Sequence, residues 1–344
     1  MSAGTSWAAD TRAVPIARLL VLCALLGLAM LAALRFGAVP LSTIDVFDAL
    51  RGSGSLVHQN ILHELRLPRA VQASLVGAAL ALSGTTYQAL LRNPLAEPYV
   101  LGVSSGAAFG AVVSVVNGWS QREVWALPLC AFAGAVLAMV LVFRIAWSVG
   151  HRLDARVLLL SGVVVSAFLV ACIWLLLTFA DDESVRTAVF WMMGSHSGAS
   201  WRSVSVLAVV MLPTAVVLLW QARALNLLAI GEMTAAFLGT NVERSKWWAY
   251  AAATFLTAVG VSVSGSIGFV GLVVPHALRL LWGGDHRLLV PASALAGAAF
   301  MVSADTAART VAGANELPIG VVTALVGVPC FVWLLRRPVT GANV

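Results

Sequence analysis

Charged side chains make up only 10% of the 344 residues, so any cluster of them is a candidate for chemistry. The two arginines of the RLPR run, Arg66 and Arg69, stand at the entrance of a strongly apolar segment, and Arg309 falls in a predicted external loop. Exposed guanidinium groups can steer and align an acidic protein partner. The alternative is that these arginines anchor helix ends by extending their charge to the membrane surface. The residues alone favour this second interpretation.

The segment from Ala222 to Lys246 has the pattern of a helix but is too polar to cross a membrane. Its leucines and alanines recur at helical spacing, while the arginines, the glutamates and Lys246 are predicted to occupy the opposite, exposed face. Gly231 and Gly239 interrupt this pattern, and glycine permits the backbone conformations that end helices. We therefore predict two short helices at the membrane surface that a soluble partner can push. An ordinary amphipathic linker fits these residues equally well.

The sequence RNPLAEP predicts a rigid turn at the membrane edge. Pro94 and Pro98 each disfavour helical geometry in the residue before them, so no helix can run through this stretch. The turn is polar at Asn93 and presents an apolar side chain at Leu95. These features suit a gate as well as a simple chain reversal.

The chain lacks the residues of common membrane enzymes and ion-coupled pumps. All 15 acidic residues fall in predicted loops or at predicted helix ends, which leaves no carboxylate mid-membrane for ion coupling. There is no HExxH motif, and the only lysine, Lys246, does not follow the glycines of a phosphate-binding loop, so the chain cannot use ATP by itself and energy for any active transport must come from outside it. We interpret His276 as a hydrogen-bond partner for backbone carbonyls freed by Pro275, with a ligand or a proton carrier as the alternative. The four cysteines lack CxxC spacing and are interpreted as packing residues, so no metal site is expected.

A hydrophobic fraction of 60% and a mean hydropathy of +0.93 indicate a polytopic membrane protein. No basic stripe suggests nucleic-acid binding. A span needs roughly 20 apolar residues, and ten segments qualify or come close: Ile16 to Phe36, Ala70 to Leu91, Tyr99 to Val116, Val124 to Val149, Val157 to Phe179, Val204 to Trp220, Trp247 to Val263, Ile267 to Trp282, Leu288 to Val302 and Leu317 to Leu335. The bias of basic residues among the loops predicts that both termini are cytoplasmic. Residues 181–201 begin with the acidic run DDES, which suits a helix N-terminus, and are predicted to form a short external helix.

Five motifs, in this order, resemble the permease subunits of the FecCD family of type II ABC importers, which carry iron chelates and cobalamin. They are RLPR, NPLAEP followed by LGVSSGAAFGA, GEMTAAFLGTNVERSK, GFVGLVVPHALRLLWGGDHRLLVPASAL, and ELPIGVVTALVGVPCFVWLLRR. The resemblance covers the chain from about residue 66 to residue 337. It implies an all-α polytopic membrane protein with about ten transmembrane helices per subunit, in which residues 1–344 form a single permease domain.

The resemblance also implies roles for particular residues. The segment 222–246 would form the cytoplasmic coupling helices that sit on an ATPase subunit, with these coupling residues: Gly231, Glu232, Thr234, Ala235, Gly239, Asn241, Glu243 and Arg244. The three arginines named above, Arg66, Arg69 and Arg309, would pair with acidic residues of a substrate-binding protein, which reverses the anchoring interpretation.

A cytoplasmic gate is implied at Asn93 and Leu95, with a second constriction at Asp154, Ala155 and Arg156. The cobalamin permease has small hydroxylated residues where Ala155 and Arg156 stand here, so the chemistry of the second constriction differs.

The function that the resemblance implies is import of an iron chelate, ferric siderophore or haem, by alternating access across a bacterial inner membrane. Cobalamin is the alternative cargo, and an ATP-independent channel or secondary transporter is the less favoured alternative class. The implied protein partners are a second permease copy, two cytoplasmic ABC ATPases that bind ATP and Mg, and a periplasmic or lipid-anchored binding protein. The chain would also contact membrane lipid. The chain itself would bind no cofactor and catalyse no reaction.

Overall fold

The computed structural model describes residues 7–150, 153–311 and 316–336, and within these ranges the regular structure is entirely helical. The α-helices are α1 (Trp7–Arg35), α2 (Thr43–Leu50), α3 (Leu56–Asn60), α4 (Leu67–Leu90), α5 (Val103–Val116), α6 (Trp119–Arg122), α7 (Ala126–Gly150), α8 (Ala155–Thr178), α9 (Asp182–Met192), α10 (Trp201–Trp220), α11 (Ala222–Ile230), α12 (Glu232–Phe237), α13 (Val242–Ser264), α14 (Val270–Trp282), α15 (His286–Thr310) and α16 (Ile319–Leu335). A π-helical segment, Ile61–Arg66, leads into α4, and a 3-10 turn, Pro98–Leu101, precedes α5.

The prediction of about ten spans is confirmed by the lengths and composition of these helices. Six of them are long and apolar enough to cross a membrane, namely α1, α7, α8, α10, α13 and α15. Three shorter apolar helices, α5, α14 and α16, and the 24-residue α4 complete the set. At 1.5 Å per residue, the 13 residues of α14 cover only about 20 Å, so this helix needs a non-helical extension to cross a core about 30 Å thick.

Helix α4 forms the centre of the bundle, where it contacts α10, α13, α14 and α15. Small residues allow this packing: Gly77 meets the backbone of α15 at Gly297, and Gly84 meets the backbone of α14 at Gly271, with no room for a Cβ at either contact. Its polar side chains bond to neighbouring helices, as when the hydroxyl of Ser83 donates to the Ala253 carbonyl at 2.7 Å. Because protein rather than lipid surrounds α4, it tolerates polar residues that an exposed span would exclude.

The predicted span from Ile267 to Trp282 is wrong in its first part. Helix α13 ends at Ser264, Gly265 follows with a φ of 70°, and α14 does not begin until Val270. Residues 265–269, which we call the extended segment, are not helical. Backbone of this kind must find hydrogen-bond partners within the protein, because lipid offers none.

The loop assignments of Asp305 and Arg309 are also wrong. Helix α15 continues well beyond the predicted end at Val302 and stops only at Thr310. Arg309 therefore lies in the last turn of a helix and not in an external loop, and Asp305 is a buried helical residue. The prediction failed because hydropathy falls at these charges, whereas their mutual pairing lets the helix continue.

The expected role of His276 is not observed. Helix α14 runs through Pro275 without a break, and the carbonyl that this proline leaves without its usual donor belongs to Gly271. The amide of Gln88 donates to that carbonyl at 3.4 Å and to the Leu272 carbonyl at 3.2 Å. The Nδ1 atom of His276 is buried without a hydrogen-bond partner among the described residues.

Candidate functional site

The two ends of the bundle carry different groups of candidate residues. Helix α4 begins directly after Arg66 and ends just before Arg92, whose guanidinium lies beside Gly231. Its 24 residues separate these two arginines by about 36 Å. We call the end that bears α11 and α12 the coupling end, and the end that bears Arg66, Arg69 and Arg309 the arginine end.

The two short helices predicted in residues 222–246 are confirmed as α11 and α12. They are separated by Gly231, whose φ of 154° favours glycine, and α12 is followed by Gly239 with a φ of 80°. The next helix, α13, is capped by Asn241, whose side-chain oxygen accepts the backbone N–H of Arg244 at 3.1 Å. Of the remaining predicted coupling residues, Ala235 is buried, whereas Thr234 is exposed.

An apolar surface covers the outer side of α12 and the end of α11. The side chains of Ile230, Met233, Phe237 and Leu238 are between 60% and 85% exposed. Large apolar side chains concentrated on so short a segment are typical of a protein interface, where a few such residues carry most of the binding energy. The structure therefore offers a preformed hydrophobic contact at the coupling end.

A buried lysine ties α12 to α13. The Nζ atom of Lys246, on a residue only 3% exposed, lies 3.0 Å from a carboxylate oxygen of Glu232 and 3.8 Å from one of Glu243. Both glutamates were predicted as coupling residues, but the lysine that joins them was not. The sequence pattern placed Lys246 on the polar face, which is wrong: in the structure it lies on the buried side of α13 with Ala249 and Tyr250.

A second polar contact ties α11 to the start of α15. The side-chain amide of Asn226 donates to the Asp285 carboxylate at 2.7 Å, and its oxygen accepts the backbone N–H of His286 at 2.8 Å. Partial burial opposes ionisation of Asp285, but the hydrogen bonds from Asn226 and from the Arg287 N–H outweigh it and lower the pKa of the carboxyl. Helices α11 and α12 are thus joined by polar contacts to two long helices, α13 and α15.

The RNPLAEP turn has the rigid form that was predicted. The N–H of Leu95 donates to the side chain of Asn93 at 2.9 Å, and Arg92, with a φ of 48°, takes a left-handed conformation. Leu95 is 43% exposed. The turn is thus braced by its own asparagine, and its leucine is available for contact.

Residues just after this turn hold the extended segment. The Glu97 carboxylate accepts the N–H of Phe269 at 2.8 Å. The hydroxyl of Tyr99 donates to the Ile267 carbonyl at 2.8 Å and accepts its N–H at 2.9 Å. The proposed gate turn and the irregular backbone between α13 and α14 are therefore one connected unit, which the sequence did not predict.

The second predicted constriction forms an ordinary helix start. Asp154 caps α8 by accepting the N–H of Arg156 at 2.8 Å, Ala155 is the first helical residue, and Arg156 is exposed. Residues 151 and 152 of the same turn lie outside the described residues. In the part of the chain that is described, no hydrogen bond or ion pair joins this turn to Asn93 or Leu95, and the gate roles of both turns stay predictions.

Three chain segments meet beside the extended segment. Backbone hydrogen bonds link Ser195 to Ser264 at 2.8 Å and Ile319 to Gly194 at 3.0 Å, which joins the ends of α9 and α13 to the start of α16. A cleft of about 380 Å³ opens here. It is lined chiefly by Met192, Met193, Ser266, Phe269, Gly320 and Ala324, none of them ionisable. Irregular backbone within a membrane bundle is expected where it is buried in protein or lines a cavity, so this cleft is the candidate pathway wall.

The short helix predicted in residues 181–201 is confirmed as α9, and the Asp181 side chain caps it by accepting the Ser184 N–H at 3.3 Å.

The three predicted docking arginines come together at the arginine end, but they are paired within the protein. Asp305, whose side chain is 1% exposed, lies 3.0 Å from Nε of Arg69 and 3.1 Å from Nε of Arg309, the latter contact too poorly aligned for a hydrogen bond. Arg69 also makes two hydrogen bonds to Glu316, at 3.0 and 2.9 Å. Arg66 donates to the carbonyls of three residues that follow or end α1: Leu34, Arg35 and Val39.

The internal contacts of the three arginines limit how an acidic partner could dock on them. Arg66 and Arg309 are only 5% and 8% exposed, so an acidic partner cannot reach them without rearrangement. At Arg69 a partner would compete with Glu316, whose side chain is 45% exposed. Docking at these arginines stays a prediction. Asp305 and Glu316 were missed as partners of Arg69 because each lies far along the chain from it. The pair of Asp305 with Arg309, four residues on, was missed because the sequence placed Arg309 in a loop.

Among the described residues, no group of three or more histidine, cysteine, aspartate and glutamate side chains is arranged to hold a metal, and the four cysteines are free.

A bundle of apolar helices, with exposed apolar side chains at one end and irregular backbone beside an internal cleft, is typical of a multi-pass transport permease. The chain belongs to the FecCD transport family, which matches residues 24–337. The resemblance drawn from the five motifs is thereby confirmed. The chain is an ABC importer permease of the FecCD class and has the type II importer fold.

Its relatives include an uncharacterized ABC transporter permease protein, YvrB, of Bacillus subtilis (strain 168), 42% identical over 86% of this chain and 84% of the relative. The cobalamin import system permease protein BtuC of Halobacterium salinarum is 46% identical over 81% of this chain and 74% of the relative. The vitamin B12 import system permease protein BtuC of Escherichia coli O139:H28 is 42% identical over 93% of this chain and 94% of the relative.

Among solved structures, an ABC transporter assigned to the metal-chelate type, in an inward-facing conformation, superposes with a TM-score of 0.82 at 33% identity. The superposition covers 92% of this chain and 98% of the chain in that structure. PsaBC from Streptococcus pneumoniae in complex with Fab matches with a TM-score of 0.54 at 16% identity, over 85% of this chain and 95% of its own, which shows likeness of fold alone.

Proposed function

We propose that this permease carries a large metal-bearing chelate into the cell and that cobalamin is the first candidate cargo. The observation behind this choice is the identity of 42% to 46%, over most of the chain, to two permeases named for cobalamin or vitamin B12 import. This order reverses the expectation from the sequence, which ranked iron chelates first. A ferric siderophore or haem is the second candidate, supported by the 33% identity to a transporter assigned to the metal-chelate type.

The candidate pathway wall is compatible with such a cargo. Its lining of methionine, phenylalanine, serine and backbone offers no ionisable side chain that would replace the ligands of a chelated metal. A cargo that keeps its own ligands needs only weak contacts in transit, because a substrate bound tightly midway would not be released. Selection of the cargo then belongs to a separate binding protein, in the periplasm or anchored by lipid, that delivers it at the arginine end.

The energy for transport enters at the coupling end. An ABC ATPase that binds ATP and Mg contacts the apolar surface of α12, one ATPase for each of two permease copies in a homodimer. Closure of the ATPase pair moves α11 and α12, and the contacts of Lys246 and Asn226 pass that motion to α13 and α15. Since α13 leads directly into the extended segment, the pathway wall moves with it, and access alternates between the two sides.

This scheme places the coupling end in the cytoplasm and the permease, as one domain over residues 1–344, in the cytoplasmic membrane. Both chain termini would then be cytoplasmic, although residues 1–6 and 337–344 lie outside the described residues.

The test is uptake by proteoliposomes that contain the permease, its ATPase and its binding protein loaded in turn with cobalamin, a ferric siderophore or haem. ATP-driven accumulation of cobalamin alone is expected. Accumulation of an iron chelate instead would replace the first candidate by the second. Uptake that needs neither ATP nor the binding protein would overturn the importer mechanism, and a Phe237→Ala permease, which should lose its ATPase, serves as the control for coupling.

A further inference from the structure

A second cavity lies at the coupling end, apart from the candidate pathway. It has a volume of about 510 Å³ and is enclosed by the end of α10, the start of α11 and the connection from α12 to α13. The side chains that give it its chemistry are Trp220, Gln221, Arg223, Arg244, Ser245 and Trp248. The candidate pathway and the polar contacts of Lys246 and Asn226 lie outside this cavity, whereas Leu238 belongs both to its wall and to the apolar surface at the end of α12.

The cavity presents two guanidinium groups and no carboxylate. Arg223 and Arg244 are both exposed, and neither forms an ion pair with any residue of the described ranges. Lys246, the neighbouring cation, is by contrast already held by two glutamates. The planar fork of arginine suits the oxygens of a phosphate group, which it can bind through two parallel hydrogen bonds. The cavity is therefore suited to a phosphate-bearing anion.

The wall of the cavity also contains a buried hydrogen-bond acceptor that has no donor among the described residues. Gln221 is 7% exposed, and its Oε1 atom has no hydrogen-bond partner among the described residues. An acceptor left unpaired in this way costs free energy, so a site that contains one is expected to receive a donor. A phosphate linked to a hydroxyl-bearing group, such as glycerol, satisfies both the arginines and this glutamine.

Two tryptophans indicate that the ligand belongs to the membrane. Trp220, the last residue of α10, is 85% exposed, and Trp248, near the start of α13, is 56% exposed. Tryptophan at the ends of membrane helices marks the level of the lipid headgroups. Along α10, Val216 and Leu219 are also exposed, so an apolar surface that suits acyl chains continues from the cavity.

We propose that this cavity binds the headgroup of an anionic phospholipid, with its phosphate on Arg223 and Arg244 and a headgroup hydroxyl on Gln221. Basic pockets between membrane helices are a recognised form of lipid site. Because α11 and the α12–α13 connection form two of its walls, a bound lipid braces the coupling helices against the bundle. This inference goes beyond the transport function and requires only that the chain reside in a membrane.

The test measures lipid binding to the purified full-length permease by native mass spectrometry, with phosphatidylglycerol as the probe and phosphatidylcholine as the neutral comparison. The unmodified chain should bind phosphatidylglycerol preferentially. In the Arg223→Gln/Arg244→Gln variant its affinity should fall about 25-fold, since each arginine near a charged lipid surface contributes about 1 kcal/mol, or about five-fold. An unchanged affinity in this variant would overturn the proposal.

Matched controls separate the site from general charge and from folding. The Arg186→Gln/Arg202→Gln variant removes two exposed arginines that lie over aromatic rings elsewhere, and should bind phosphatidylglycerol as the unmodified chain does. An equal loss there would show that only net charge matters and would overturn the site. Arg223→Lys/Arg244→Lys keeps the charge but loses the paired N–H groups of each guanidinium, so its affinity should fall between those of the glutamine variant and the unmodified chain, which gives a usable comparison if the glutamine variant folds poorly.

Two further outcomes would assign the cavity to another ligand. Displacement of the lipid by inorganic phosphate or glycerol 3-phosphate at the same concentration would make it a site for soluble phosphates. A change of oligomeric state in the glutamine variant, without a change in lipid binding, would make it a contact between permease copies. Either result would contradict a lipid site.

Discussion

The coupling end and the arginine end of this permease present opposite kinds of side chain at their surfaces. At the coupling end, large apolar side chains such as Met233 and Phe237 are 76% and 85% exposed, and a few polar contacts hold the helices that carry them. At the arginine end, the charges are turned inward, and Asp305, 1% exposed, is shared between Arg69 and Arg309. One end carries exposed apolar side chains, whereas the charged side chains of the other bond to groups within the protein.

This contrast follows from the cost of leaving each type of group unpaired. An exposed apolar side chain costs little free energy in water, and its burial by a partner is favourable. A hydrophobic interface can therefore be formed before the partner binds. A buried guanidinium without a partner would cost several kcal/mol, so the protein supplies carboxylates for Arg69 and Arg309 and backbone carbonyls for Arg66. Any partner at the arginine end must therefore exchange ion pairs, while a partner at the coupling end only adds contacts.

The largest effect at either end is expected for the substitution Asp305→Asn. It leaves the positive charges of Arg69 and Arg309 without their buried counter-charge, and loss of one member of a buried pair costs about 3 to 5 kcal/mol. The measurement is the free energy of unfolding of the permease in detergent. Glu316→Gln is the control, because its side chain is 45% exposed and its pair should contribute less than about 1 kcal/mol. Equal losses in the two variants would mean that Asp305 does not organise the cluster.

The apolar surface at the coupling end is tested by the substitution Phe237→Ala. A buried aromatic anchor at an interface contributes about 2 kcal/mol or more, so affinity for the ATPase should fall about 30-fold or further. The stability of the isolated permease should change by less than about 0.5 kcal/mol, because the side chain is exposed. Phe190→Ala, at an exposed phenylalanine of α9, is the matched control and should leave ATPase affinity intact. Loss of stability without loss of affinity would contradict a preformed interface.

The tie between α12 and α13 is tested by Lys246→Met. The change removes a charge-assisted hydrogen bond of about 1.5 kcal/mol, the low end of the range because Glu232 remains partly exposed. We expect ATPase binding to persist while the cargo transported per ATP hydrolysed falls. Glu243→Gln, which removes the longer 3.8 Å contact, should have the smaller effect. Partial recovery in the charge-reversed pair Lys246→Glu/Glu232→Lys would confirm direct contact, and an unchanged transport ratio in Lys246→Met would exclude this route.

The smallest expected effect concerns the tie from Asn226 to Asp285. Because the pKa of Asp285 is lowered below the ordinary value of 3.8, its stabilisation is complete above that value and is lost as the pH falls through the native pKa. The contribution should be less than about 1 kcal/mol because solvent screens this site. Unfolding measured between about pH 6 and pH 3 should show a shallower pH dependence in Asn226→Ala than in the unmodified chain. Identical profiles would show that the hydrogen bond does not lower the pKa.

Much of the local structure could be predicted from the sequence because it depends on neighbouring residues. The breaks at Gly231 and Gly239, the rigid turn at Pro94 and the acidic start of α9 are all interactions within a few residues, and each was observed. The number of spans followed from hydropathy, which is a property of a continuous stretch. The five motifs added the family to this local information.

The tertiary structure alone decided which distant groups meet. Glu97 holds the N–H of Phe269, 172 residues away, and Arg69 holds Asp305, 236 residues away. The same is true of Gln88, which bonds to the carbonyl that His276 was expected to serve. Hydropathy assigned Arg309 to a loop and Ile267 to a helix because it considers only the transfer of each residue between water and lipid. In the folded protein both residues are surrounded by other helices, where a paired charge is stable inside a helix and an irregular backbone is stable inside the bundle.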